Sequence, residues 1–119
     1  MILLLVVAIA GGIGSGARWL VDVLLGRVLP HGFPWAILVV NATGSFALGL
    51  LTGAVSDTVW LAAVGAGLLG GYTTFSTVAL DSAAFLREGR TRAAIADALG
   101  TLAVCVASAA AGLGTAALL

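Results

Sequence analysis

Three long stretches of this 119-residue chain contain no Asp, Glu, Lys or Arg: residues 28–56, 58–80 and 98–119. Each exceeds the roughly 18 residues that suggest a membrane-spanning helix. A fourth apolar run, residues 1–17, continues beyond Arg18. Only 8% of the chain is charged, whereas soluble domains carry about 25% charged residues. We therefore expect an all-α membrane protein with four spans.

The four spans should form a single transmembrane domain over residues 1–119. They are predicted at about residues 2–25, 34–55, 58–86 and 91–118, with the third broken near 70–77. The first apolar run also resembles a cleaved signal peptide. No positive residue precedes it, however, so we interpret it as a retained helix.

Small residues recur at helical spacing in three of the spans, which lets helix backbones approach closely in lipid. Close packing is therefore predicted, both within and between subunits. The alternative is that these glycines only reflect the higher frequency of Gly in membrane helices. The stripes comprise Gly12 and Gly16 in the first span, Ser45, Gly49 and Gly53 in the second, and Ser108 and Gly112 in the fourth.

The charges of the predicted loops are one-sided. Arg27 lies in the first loop, and Arg87, Arg90 and Arg92 lie in or beside the third. The termini and the second loop contribute no Lys or Arg. By the positive-inside bias, the first and third loops are expected in the cytoplasm, with both termini outside. A single orientation is predicted.

The third span contains the run Gly-Gly-Tyr-Thr-Thr-Phe-Ser-Thr at 70–77. Its glycine pair permits the backbone to leave helical geometry, which at membrane depth requires burial in protein or contact with a water-filled cavity. Freed carbonyls can coordinate a cation, and freed amides and hydroxyls can meet an anion. Both signs of ion remain possible. In the alternative, each hydroxyl bonds to a carbonyl one turn earlier and only bends the helix.

Other polar or aromatic residues within the spans are further candidates for an ion pathway. The amide of Asn41 can serve an ion or join two helices. Phe75 can turn the positive edge of its ring toward an anion, or simply pack. Arg18 can extend to the membrane surface or set the potential at a cavity mouth. In the fourth span, Asp97, Thr101, Cys105 and Ser108 form one polar edge that needs a wet or protein partner, although Asp97 could also reach the interface.

Three motifs in this order resemble the CrcB/Fluc family of fluoride channels. They are Gly-Gly-Ile-Gly-Ser-Gly-Ala-Arg-Trp at 11–19, Val-Asn-Ala-Thr-Gly-Ser-Phe at 40–46 and the run at 70–77. The resemblance covers essentially the whole chain. It implies an antiparallel dimer of four-helix subunits, with two fluoride paths and a structural Na⁺ at the dimer centre.

The resemblance also implies roles for individual residues. Gly70 and Thr73 would give backbone carbonyls to Na⁺, and Asn41 would donate to fluoride. Phe75 would be the first phenylalanine of a paired box, and Ser76 and Thr77 would supply hydroxyls along the path. The chain departs from the family pattern at two positions: Val78 replaces the second phenylalanine, and Asp97 replaces a tyrosine. Two fourth-span serines of the family correspond to Thr101 and Cys105.

These observations favour a passive fluoride channel that exports fluoride across the cytoplasmic membrane and relieves its toxicity. The fixed orientation and the two departures suggest one subunit of a heterodimer with an inverted homologue. One alternative is a small multidrug transporter, but such a protein needs an acid in its first helix, where only Asp22 is nearby. A non-conducting assembly subunit would leave the run at 70–77 unexplained. Neither an enzyme nor a nucleic-acid partner is expected, since no nucleophile and base can be paired around the single histidine, His31.

Overall fold

The computed structural model describes all residues 1–119, and its regular structure is entirely helical. Helix α1 covers Ile2–Gly26 and α2 covers Trp35–Ala54. The third span, Thr58–Arg87, consists of α3 at residues 58–72 and α4 at Ser76–Arg87. The fourth span is α5, Thr91–Ala116. All four spans are long and apolar enough to cross a membrane, which confirms the predicted all-α class.

Most of the large apolar side chains on these helices point outward. Ile9, Trp19 and Leu102 are among more than twenty that remain exposed. Val40 is one of the few apolar side chains that are completely covered. Helices that are apolar on nearly every side suit a membrane, where lipid covers the outer faces.

Two stretches of helix have wider turns than an α-helix. Residues 61–69 in α3 and 96–100 in α5 follow the π-helical pattern, in which each amide bonds to the carbonyl five residues earlier. The second stretch contains Asp97. Such turns are frequent at functional sites because they displace side chains from the regular helical faces.

The helices pack as two close pairs, α1 with α3 and α2 with α5. Glycines lie where the backbones of each pair meet, so that a methyl group at any of these positions would collide with the neighbouring main chain. The five contacts are Gly14 against Leu68, Gly67 against Val7, Gly71 against Gly11, Gly49 against Ala109, and Gly112 against Phe46.

Within the subunit, the small-residue stripe predicted for the first span is not the face that packs. Gly12 and Gly16 face open space, whereas Gly11 and Gly14 meet α3. The reason is that the position of α3, rather than the spacing within α1, decides which face is covered. In the second span, Gly49 and Gly53 do pack against α5, as predicted.

The first and third loops meet at one end of the bundle. Arg90 Nη2 donates to the carbonyl of Gly32 at 2.9 Å, and the Arg90 guanidinium lies 4.6 Å from the centre of the Phe85 ring. Below these loops is a cavity of about 390 Å³, here called the loop-end cavity. Its lining includes the carboxyl-bearing residues Asp22, Asp81 and Glu88.

Candidate ion site

The polypeptide leaves helical geometry between α3 and α4, at residues 73–75. Thr73 has φ −76° and ψ 159°, which is extended backbone. This interruption is narrower than the predicted break near 70–77. Gly70 and Gly71 stay helical because Gly71 packs directly on the backbone of α1, and Ser76 and Thr77 already form the first turn of α4.

Asn41 on α2 holds the interrupted backbone in place. Its Oδ1 accepts a hydrogen bond from the Thr74 amide at 2.7 Å, and its Nδ2 donates to the Thr74 carbonyl at 2.9 Å. The Asn41 side chain is buried, with 5% of the residue exposed. Because the amide group has two N–H bonds, one donor of Asn41 is left for another partner.

The Thr74 amide would donate to the carbonyl of Gly70 in an unbroken α-helix. Here it donates to Asn41, and no other backbone amide bonds to the Gly70 oxygen. Two of the next three carbonyls along the chain, those of Gly71 and Thr73, do have partners from α1. Ser15 Oγ donates to Gly71 at 3.3 Å, and Arg18 Nη1 reaches the Thr73 oxygen at 3.5 Å.

The hydroxyls of residues 73–77 have different partners. Thr73 Oγ1 donates to the carbonyl of Leu69 at 2.9 Å, the local bond that bends a helix. Thr74 Oγ1 accepts from the Thr77 amide at 3.2 Å and donates to Thr77 Oγ1 at 3.1 Å, so it caps the start of α4. Ser76 is exposed, and its Oγ forms a long hydrogen bond with Thr74 Oγ1, at 3.4 Å.

An open groove of about 860 Å³, here called the central groove, runs past this interruption. Phe75 projects beside it with 85% of its surface exposed. Three predicted site residues, Arg18, Ser76 and Thr77, are not part of its lining. The predicted residues that the fold does bring together along the groove are Asn41, Gly70, Thr73, Phe75, Val78, Thr101 and Cys105.

The polar edge of α5 lies partly along the central groove. Thr101 is buried, and its Oγ1 is a buried polar atom without a hydrogen-bond partner. Asp97 is 1% exposed, so its side chain is enclosed by the protein, and it accepts a hydrogen bond from Ser82 Oγ at 2.8 Å. Cys105 is half-buried and has a free thiol.

Neither the position of Ser82 nor the capping role of Thr74 was predicted from the sequence. Ser82 lies one turn beyond Val78 on α4, so helical spacing alone could have placed it on the same face. The contact between Tyr72 Oη and Thr43 Oγ1, 3.0 Å across α3 and α2, was also missed. It joins helices whose pairing no local pattern specifies.

The chain matches one protein family and several known proteins. The family model for the CrcB-like protein, Camphor Resistance (CrcB), matches residues 5–113. The chain is 41% identical to the fluoride-specific ion channel FluC of Rhodospirillum centenum, over 95% of this chain and 94% of that protein. It is 38% identical to FluC 1 of Leifsonia xyli, over 94% and 85% of the two chains, and 46% identical to FluC 1 of Symbiobacterium thermophilum, over 77% and 79%.

The match extends through all four apolar helices and includes Asn41 and the interrupted stretch. A chain with these spans and with ion channels as relatives is a multi-pass membrane protein. The expected family resemblance is thereby confirmed, and the chain belongs to the CrcB family.

Proposed function

We propose that this protein is a fluoride-selective channel that lets fluoride leave the cell passively across the cytoplasmic membrane and so relieves fluoride toxicity. The observation that carries the proposal is the interrupted backbone at residues 73–75, held by Asn41 beside an open groove. Non-helical backbone within a membrane span is tolerated where it lines a cavity. The similar proteins of R. centenum and L. xyli are both named fluoride-specific ion channels.

The groove offers donors suited to a small anion. Fluoride must exchange its hydration shell for groups on the protein, yet each site must release it again. Asn41 retains one N–H, and the hydroxyl of Thr101 has no partner. The exposed ring of Phe75 can present its positive edge, which attracts an anion less strongly than a full charge would.

The carbonyls of Gly70 and Thr73 fit the proposed structural Na⁺. The Gly70 oxygen lacks its helical donor, and unwound carbonyls are the groups with which broken membrane helices hold Na⁺. Two carbonyls cannot surround the ion alone, so a second subunit must contribute ligands. Arg18 also approaches the Thr73 oxygen, which makes Gly70 the stronger ligand of the two.

An antiparallel dimer would complete the site. Gly70 and Phe75 are exposed on the groove side, where the second subunit would cover them. The partner would be either a second copy or an inverted homologous subunit. The arginine bias of the first and third loops supports one orientation for this chain, with both termini outside the cell, and thus favours an inverted homologue.

Reconstitution into liposomes tests the function directly. Purified protein is placed in vesicles loaded with fluoride or with chloride, and efflux is followed with ion-selective electrodes. Rapid fluoride efflux with little chloride efflux would support the proposal. The absence of fluoride efflux, both alone and together with an inverted homologue, would overturn it. Robust fluoride efflux from this chain alone would count against an obligatory second subunit type.

A further inference from the structure

Asp97 is buried close to both the central groove and the loop-end cavity. Ser82, which donates to Asp97, lines the central groove, and the adjacent Asp81 lines the loop-end cavity. On α5, Ala98 and Thr101 line the same groove. An ion that moves from the groove toward the loops past Ser82 would therefore come within one hydrogen bond of the Asp97 carboxyl group.

The neighbouring loop-end cavity is lined by the carboxyl-bearing residues Asp22, Asp81 and Glu88, together with Arg90 and His31. Asp81 on α4 lies within electrostatic reach of Asp97 on α5 and Asp22 on α1. The one salt bridge of the protein joins Arg90 to Glu88 at the loops, at 3.8 Å. Asp97 thus has Ser82 as its only side-chain hydrogen-bond partner, and no basic side chain forms a salt bridge with it.

The hydroxyl proton of Ser82 is also unavailable to an ion in the groove. Its proton points to Asp97 Oδ2, so Ser82 offers a passing anion an oxygen rather than a donor. The last free donor before the carboxyl groups is Thr101, one turn beyond Asp97 on α5. A fluoride ion that leaves the donor-lined groove past Ser82 would therefore approach the Asp97 carboxyl group.

We propose that Asp97 controls the rate of fluoride passage, because its carboxylate limits passage at the loop end of the path. This inference rests on the proposed channel function and adds to it a position that controls the rate. A buried unit charge acts on an ion over several ångströms because water does not screen it. Removal of that charge should lower the barrier.

The D97N variant tests this proposal, because it removes the charge while its amide oxygen can still accept from Ser82. Fluoride efflux from liposomes should rise roughly tenfold, as expected for loss of one nearby like charge in a protein environment. The matched control is D57N. Asp57 caps α3 at the opposite end of the bundle, accepting from the Val59 amide at 2.8 Å, and Asn is an equally good cap. D57N should leave efflux at the wild-type rate.

Efflux from D97N at or below the wild-type rate, with D57N active, would overturn the inference and leave the channel function intact. If neither wild type nor D97N releases fluoride, alone or with an inverted homologue, the proposed function fails and the inference fails with it. If D97N is not recovered folded, the D97S variant, which also lacks the carboxyl group, provides the measurement. Efflux faster than that of the wild type would support the inference, and efflux at or below the wild-type rate would contradict it.

Discussion

Both hydrogen-bonding groups of the Thr74 peptide are held by the side chain of Asn41, 33 residues earlier in the chain. An unwound peptide within a membrane would otherwise leave its amide and carbonyl unsatisfied, at a cost of several kcal/mol. Asn41 therefore allows the chain to remain extended at residues 73–75. The same contact removes the helical donor of Gly70 and leaves that carbonyl available.

The N41D substitution should abolish fluoride efflux. A carboxylate cannot donate to the Thr74 carbonyl, and it places a like charge beside an anion path. We expect at least a roughly hundredfold loss of efflux and a loss of about 1–3 kcal/mol in unfolding free energy. Liposome efflux and thermal unfolding in detergent measure the two effects. T52V is the control, because Thr52 bonds only to carbonyls of its own helix. Unchanged efflux from N41D would remove Asn41 from the pathway.

Replacement of Phe75 with isoleucine should slow fluoride efflux without unfolding the subunit. The ring is largely exposed, so few intrasubunit contacts are lost, but the positive ring edge disappears. We expect a decrease of about two- to tenfold, from the roughly 0.5–1.5 kcal/mol typical of aromatic interactions. F46I serves as a control at another exposed phenylalanine. Equal efflux from F75I and F46I would show that the ring is not required.

Gly14 and Gly12 form a matched pair for the helix packing. A methyl group at Gly14 would collide with the carbonyl of Leu68, whereas Gly12 has nothing within 4 Å. G14A should lower the unfolding free energy by about 1–3 kcal/mol through overpacking. G12A should raise it slightly, because Ala favours a helix over Gly by about 1 kcal/mol. Thermal unfolding followed by circular dichroism compares them, and equal stability of the two variants would contradict the observed contact.

Removal of Na⁺ should destabilise the assembled protein. A ligand that binds only the native state adds stability as its concentration rises, by about 2.7 kcal/mol at one hundred times its Kd. The midpoint of thermal unfolding should therefore increase with Na⁺ concentration. The comparison is made at constant ionic strength, with a large organic cation replacing Na⁺. A midpoint that does not depend on Na⁺ would argue against the carbonyl site at Gly70 and Thr73.

Several features of this protein follow from local sequence. The four spans are visible because charged residues are absent over lengths that only a membrane helix explains. The polar run at 70–77 marks the part of the third span where the structure departs from a helix. Asn41 was also identifiable, because a buried amide among apolar residues requires a partner.

The packing face of α1 and the extent of the interruption depend on contacts between helices that are far apart in the sequence. Gly11 and Gly14, rather than Gly12 and Gly16, became the packing face of α1 because α3 lies on that side. The extent of the interruption depends on Gly71 meeting α1 and on Thr74 meeting Asn41, neither of which is a local interaction.

Hydropathy and the period of the helix are properties of neighbouring residues, so the sequence alone determined the number, type and approximate length of the spans. The burial of Asp97 behind Ser82, 15 residues away, depends on how α4 and α5 pair, and only the tertiary structure decided it. A carboxyl group near a helix end can face water, lipid headgroups or another helix, and its own segment does not distinguish these. In this protein the carboxyl group of Asp97 faces another helix, because of how α4 and α5 pack.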